Sequence, residues 1–337
     1  MNKINKVFET TQRGQHYFNA WVENYISPPA WRSYWWYLTR KKTWPRGIVS
    51  PINTPSQAAL ANETIVTFIG HASLLIQMGN LNIITDPVFS ESIGPLACLG
   101  VKRSRTNGLL IKDLPPIHAV LISHNHYDHL DWPSLFALKE KHTFHIFCPV
   151  GLEKGFLERG FKCVTALKWW EHAQLNTHVT VHATPAQHWS QRGLFDKNKS
   201  LWLGFYLKSS KNQNGVFFPG DTGYGPHFSE INRVLGAPSL SFLPIGAYQP
   251  SWLMKFSHMT PEEAVKAHID LKSKWSLPIH FDTFPLGDEL MGQALTDLQS
   301  ACNLHKVSGF KAWANGSVGV LKNEKLSLSW HSFPTAP

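Results

Sequence analysis

The sequence predicts an α/β fold, because short strand-like runs alternate with helix-start signals along its 337 residues. Ala119-Val120-Leu121-Ile122 is an apolar run of strand length, too short for a helix. Val179-Thr180-Val181-His182-Ala183-Thr184 alternates as a half-buried strand does. Residues 65–86 read as two or three short strands that end at Asp86. Residues 201–221 read as a hairpin-like pair that turns at Lys211-Asn212-Gln213-Asn214-Gly215 and ends at Asp221. Helices are expected at 133–141 and at 261–272. In the second, Thr260 is the N-cap, Pro261 takes the first helical position, and Glu262-Glu263 lie in the first turn.

Residues 124–131, His-Asn-His-Tyr-Asp-His-Leu-Asp, carry three imidazoles and two carboxylates where the run 119–122 stops. Neutral imidazole and carboxylate are what Zn²⁺ and similar divalent ions accept. His124 and His126 are two apart and can share one metal, while a loop can aim Asp128 and His129 at a second. A polar turn with satisfied histidines is the bland alternative, and this density of ligands argues against it. Further ligands stand at other strand ends. His188 follows the run 179–184, Asp221 follows Val216-Phe217-Phe218-Pro219-Gly220, and His280 follows Leu277-Pro278-Ile279. Singly each is weak, since a lone histidine after a strand is more often structural. Jointly they complete a two-metal set.

The His-x-His-x-Asp-His core, the later His188, the Gly220-Asp221 pair and His280 resemble the metallo-β-lactamase fold. The chain resembles more closely the branch that contains N-acylphosphatidylethanolamine-hydrolysing phospholipase D and its bacterial relatives. This likeness rests on Gly70-His71-Ala72-Ser73, Thr85-Asp86-Pro87-Val88-Phe89, Ser123 to Asp131, and Thr184-Pro185-Ala186-Gln187-His188-Trp189. It continues through Phe218 to Tyr224, Ile245-Gly246-Ala247-Tyr248, Pro261 to Ala264 and Ile279-His280, so that it covers about residues 60–290. The family usually reads Tyr-Glu-Pro-Arg-Trp where this chain has Tyr248-Gln249-Pro250-Ser251-Trp252, a loss of one acid and one base that leaves the ligands intact and bears on substrate preference.

The resemblance implies a four-layer αβ/βα sandwich and two divalent metal ions, expected to be zinc. It implies that His124, His126 and His188 hold one ion, that Asp128, His129 and His280 hold the other, and that Asp221 bridges. Two such cations lower the pKa of a shared water from ~15.7 towards ~7, giving a hydroxide for attack on phosphorus or a carbonyl. Asp128 is expected to orient that nucleophile and His258 to lie near the substrate phosphate. His71, Asp86 and Tyr248 are expected around the ligands or the substrate, and Asp131 on loop backbone rather than on metal. The implied reaction releases N-acylethanolamine and phosphatidic acid from N-acylphosphatidylethanolamine. A lactonase or other carbonyl hydrolase on the same site is the alternative, kept open by Gln249 and Ser251, with a nuclease behind it. No Gly-x-Ser-x-Gly elbow is present.

Composition sets the remaining expectations. No Pro/Gly/Ser-rich linker divides the chain, so an N-terminal extension over 1–59 is expected to pack on a catalytic domain over 60–337. Cys98, Cys148, Cys163 and Cys302 form no Cys-x-x-Cys pair and read as reduced core residues. Neither a secretory h-region nor an apolar span of ~18 residues is seen. A cytoplasmic protein is therefore expected, peripheral at an anionic membrane. A net charge of +9 favours anionic partners, phospholipid or another phosphodiester; nucleic acid is not expected, for want of a stacking array. Residues 31–44 hold six aromatics and four bases, and read either as a membrane-facing arm or as a strap on the core. Lys102-Arg103-Ser104-Arg105 reads as an anion-binding rim or a solvated turn.

Overall fold

A computed structural model describes residues 6–22, 28–40, 44–52, 55, 62–95, 100–210 and 215–329. The strands that the apolar runs predict pair into two large sheets. One has eight strands, in the order Val164–Leu167, His145–Pro149, Ala119–Leu121, Leu81–Thr85, Ser73–Met78, Glu63–Gly70, Val318–Lys322 and Lys325–Ser329. The other has six, in the order His172–Gln174, Val179–Thr184, Gly204–Ser209, Gly215–Phe218, Leu240–Pro244 and Trp275–Ile279.

Alternation along the strands divides the core. Leu74, Ile76, Ile83, Ala119, Leu121 and Phe147 face a cluster shared with Val181, Phe205, Phe217 and Phe242 of the second sheet. Their neighbours Leu75, Ile84, Val120, Ile146 and Cys148 point the other way, onto Leu135, Leu138, Phe156 and Phe161. Successive strand residues face opposite sides, so burial on both faces makes the runs almost continuously apolar. Helices Trp132–Lys141 and Glu153–Glu158 cover the outer face of the first sheet. Helices His227–Leu235, Pro261–Leu271 and Gln293–His305 cover the second, through Phe228, Ile231, Val265 and Leu298. This is the four-layer αβ/βα sandwich.

Local chemistry explains the helix boundaries. Thr260 accepts from Glu263 N–H and Glu263 returns the bond to Thr260 N–H, a capping box. The helix stops at Leu271, one residue before the expected end, because Lys272 turns left-handed with φ 52°. Residues 211–214 of the expected hairpin turn, and Cys98, lie outside the described residues. Cys148 and Cys302 are buried, but Cys163 is exposed and is not a core residue. Of the segment 102–105, Lys102 alone is exposed. Arg103 and Arg105 are buried, and Arg103 donates to the carbonyls of Ser90 at 3.1 Å and Val88 at 2.7 Å. Asp131 accepts from the Ser90 and Ser134 hydroxyls, not from loop backbone.

Candidate metal centre

Four strand ends converge between the two sheets. Strand Ala119–Leu121 delivers the motif loop 124–131, and the second sheet delivers His188, Asp221 and His280 after three of its strands. In the first group, His124 Nε2 and His188 Nε2 lie 2.8 Å and 3.2 Å from His126 Nδ1. In the second, Asp128 Oδ2 lies 3.4 Å from His129 Nε2 and 3.3 Å from His280 Nε2. Asp221 Oδ2 reaches both, at 3.1 Å from His129, 3.2 Å from His280 and 3.9 Å from His188. Ligand atoms of His124, His126 and His188 all lie within 4.8 Å of one another, as do those of His71, Asp128, His129 and His280.

The outer nitrogens are held elsewhere, which turns the inner ones towards the centre. His129 Nδ1 meets Asp86 Oδ2 at 2.7 Å, and His188 Nδ1 donates to the Ser257 carbonyl at 3.0 Å. Ser123 donates its hydroxyl to Asp86 at 2.5 Å and takes the Nδ1 proton of His124 at 2.9 Å. Backbone strain is concentrated here. His71, Asp86, Ala247, His280 and Asp282 all have positive φ, between 31° and 60°, a region that costs non-glycine residues energy.

These residues fit a pair of divalent cations. His129 Nε2 is buried without a hydrogen-bond partner although Asp221 Oδ2 is 3.1 Å away, and Asp221 Oδ1 and His126 Nε2 are also unpartnered. An unpartnered buried group costs about 1–3 kcal/mol, and a shared cation removes that cost for the atoms that ligate it. Charge tells the same story. Burial opposes the charge on His280, but Asp221 and Asp128 outweigh it and raise the imidazole to about 9. His129 is raised well above its ordinary value by the same two carboxylates, against burial. Asp128 and Asp221 are held well below the usual carboxylate range, since their histidine neighbours outweigh burial. The carboxylates draw protons onto their neighbours where a metal would displace them.

The other expected residues divide. His71 is buried with Nε2 3.0 Å from Asp128 Oδ2, and Asp86 supports His129 and Ser123. His258 lies on the cavity wall, its Nδ1 3.9 Å from Asp221, and burial lowers its imidazole to about 4. Tyr248 is not brought to the site. Its hydroxyl donates to Asp297 at 2.6 Å within the core, and Ala247 faces the cavity instead.

The cavity over the centre measures about 1230 Å³, with His126, Asp128, His188, Asp221 and His258 in its lining. Its wall holds residues that the sequence reading missed. Trp189 stands with its ring 4.3 Å from that of His126. Tyr17, Phe18, Trp36 and Tyr37, all in the N-terminal extension, also line it. Trp189 had a signal, as it directly follows His188. Trp36 and Tyr37 lie in the aromatic-rich segment 31–44, but Tyr17 and Phe18 had no signal, because only docking makes the extension a wall: Tyr17 N–H donates to Asn198 O at 2.8 Å and Trp36 Nε1 to Asp288 at 2.7 Å. Arg40, one of the four bases in residues 31–44, donates to the Leu286 carbonyl at 2.5 Å; Lys41 and Lys42 lie outside the described residues.

Comparison with known proteins agrees with this architecture. A family model described as "Beta-lactamase superfamily domain" matches residues 81–281. The N-acyl-phosphatidylethanolamine-hydrolyzing phospholipase D 1 of Caenorhabditis elegans is 35% identical over 231 residues, 66% of this chain and 64% of that one. The mitochondrial N-acyl-phosphatidylethanolamine-hydrolyzing phospholipase D of Saccharomyces cerevisiae is 36% identical over 228 residues, 66% of this chain and 48% of that one. The chain thus spans less than two thirds of either relative. Igni18, a metallo hydrolase from Ignicoccus hospitalis, shares the fold with a TM-score of 0.59 at 20% identity, over 77% of this chain and 99% of its own. With two sheets in a four-layer sandwich and the His/Asp cluster at their strand ends, the chain belongs to the beta-lactamase superfamily and has the metallo-β-lactamase fold.

Proposed function

We propose that the protein is a dinuclear metal-dependent hydrolase of the phospholipase D type, cleaving N-acylphosphatidylethanolamine to N-acylethanolamine and phosphatidic acid. The observation that carries this reading is a single cavity with the His/Asp cluster in its floor and an apolar wall above it. Tyr17, Phe18, Trp36, Leu253 and Met254 supply that wall. Such a space suits an amphiphile whose polar ester reaches the cluster while its chains lie on the aromatics. The relatives at 35% and 36% identity, named for this activity, support the choice of substrate.

His124, His126 and His188 would hold one cation and Asp128, His129 and His280 the other, with Asp221 between them. When bound, two divalent cations supply an acidified water and positive charge for the developing oxyanion. Zinc suits the nitrogen-rich donor set. The ionised Asp128 carboxylate lies at the cavity floor, where it can take a proton from the attacking water and pass it to the leaving oxygen. His258, kept neutral by burial, can position a phosphoryl oxygen from the wall. Peripheral contact with an anionic membrane belongs to this reading, since the substrate resides there.

The lactonase reading rests on one feature: Gln249 and Ser251 belong to the short segment that leads into Leu253 and Met254, which line the cavity. A substrate panel on metal-loaded protein separates the two. N-acylethanolamine and phosphatidic acid as products support the proposal. Diacylglycerol, or turnover only of lactones and esters, overturns it.

A further inference from the structure

The mouth of the cavity is bordered by two apolar ridges that the chemistry does not use. One is the loop 191–198. Leu194 and Phe195 at its tip are 86% and 85% exposed, while Gln191, Lys197 and Asn198 line the cavity. This loop is braced. Asp196 accepts the backbone N–H of Gly193 at 2.8 Å and of Arg192 at 3.1 Å. The Arg192 guanidinium donates to the carbonyls of Asn125 at 3.2 Å and Leu130 at 2.7 Å, within the ligand loop itself. The second ridge is the helix Ala30–Thr39. Its Ser33, Trp36 and Tyr37 line the cavity, while Trp31, Trp35 and Leu38 are exposed at 71%, 64% and 58%. Their spacing of four and then three residues puts them on one stripe.

We propose that these two ridges are a bilayer-docking face, with Leu194 and Phe195 entering an anionic lipid surface so that the cavity opens onto it. The inference rests on the lipid-substrate reading above. Three observations choose a bilayer over a protein partner. Two separate apolar ridges, both on elements that line one cavity, suit a fluid apolar phase that can yield to both. Exposed tryptophans suit the headgroup boundary, where the ring is half in water. Charge is complementary as well: the exposed Arg13 and Lys197 line the cavity, and its acidic lining residues are Asp128 and Asp221 of the metal centre.

The test uses the full-length, metal-loaded protein with sedimented vesicles, either phosphatidylcholine alone or mixed equally with phosphatidylglycerol. The double variant Leu194→Ser, Phe195→Ser should bind both kinds of vesicle about tenfold more weakly or worse, through lost apolar burial. Its metal content and its turnover of detergent-dispersed lipid should match the parent, as neither residue lines the cavity. Salt should weaken only the part of binding that phosphatidylglycerol adds. Unchanged vesicle binding by the double variant overturns the proposal. So does a parent that ignores vesicles, or a parent dimer that the variant dissociates with vesicle binding intact, which would make the face a self-association surface. Vesicle binding that depends on Leu194 and Phe195, with no phospholipid cleaved, supports the docking face and removes the substrate reading instead.

Discussion

His129 and Asp86, 43 residues apart in sequence, join in a 2.7 Å contact between Nδ1 and Oδ2. This contact turns the opposite nitrogen of His129 towards Asp128 and Asp221. Asp86 reaches it from the end of strand Leu81–Thr85, with φ 31°, and also accepts Ser123 N–H at 2.7 Å. Asp86→Asn keeps the shape and removes the charge. Metal affinity should fall about 10–100-fold while the fold survives. Competition with a chromophoric chelator measures it, and an unchanged affinity would deny Asp86 this role.

Metal stoichiometry tests the centre as a whole. Purified protein should carry two divalent ions per chain, since one tetrahedral site cannot use seven ligands. Asp221→Ala should lose both ions or nearly all activity, because Asp221 Oδ2 faces both groups. Elemental analysis that finds one ion, with Asp221→Ala unaffected, would sink the dinuclear assignment.

His258→Ala separates wall from ligand. His258 lies 3.9 Å from Asp221 and lines the cavity. Turnover should fall about 10²–10³-fold, because the ring no longer positions the phosphoryl oxygen, with metal content unchanged. Loss of an ion in that variant would place His258 among the ligands.

Gly246→Ala should act through the backbone. A Cβ there would stand 2.0 Å from the carbonyl oxygen of His280, so the strand end carrying that ligand must move. The expected cost is about 3 kcal/mol in urea unfolding, together with weaker metal binding. A variant as stable as the parent would show that the strand ends can slide freely.

Acid stability should follow His227, a buried histidine away from the predicted metal ligands. Burial lowers its imidazole from 6.5 to about 3. Between those values the unfolded chain carries a proton that the folded chain refuses. Its contribution is therefore present above pH 6.5 and is lost as pH falls towards 3. His227→Gln should lose less stability than the parent between about pH 7 and about pH 5. Equal losses in urea titrations at the two pH values would exclude His227 as a source.

Local sequence alone determined the strand ends and the ligands they present. Apolar runs of strand length, the eight-residue His/Asp motif and the Thr260 capping box each depend on neighbours within a few positions, so pattern suffices to read them. Only the tertiary structure decided which side chains meet. His188, Asp221 and His280 come from one sheet and the motif loop from the other, and their convergence needs the two sheets to pack. Tyr248 shares a sequence block with Ala247, yet beyond the strand end, where Ala247 turns left-handed with φ 56°, its hydroxyl meets Asp297 while Ala247 faces the cavity. Arg103 looked like a solvated base because charge is usually exposed; the carbonyls of Val88 and Ser90 that make its burial tolerable are 13 to 15 residues away. The aromatic extension became a cavity wall for the same reason, since hydrogen bonds such as that of Trp36 to Asp288 span 252 residues and leave no local pattern.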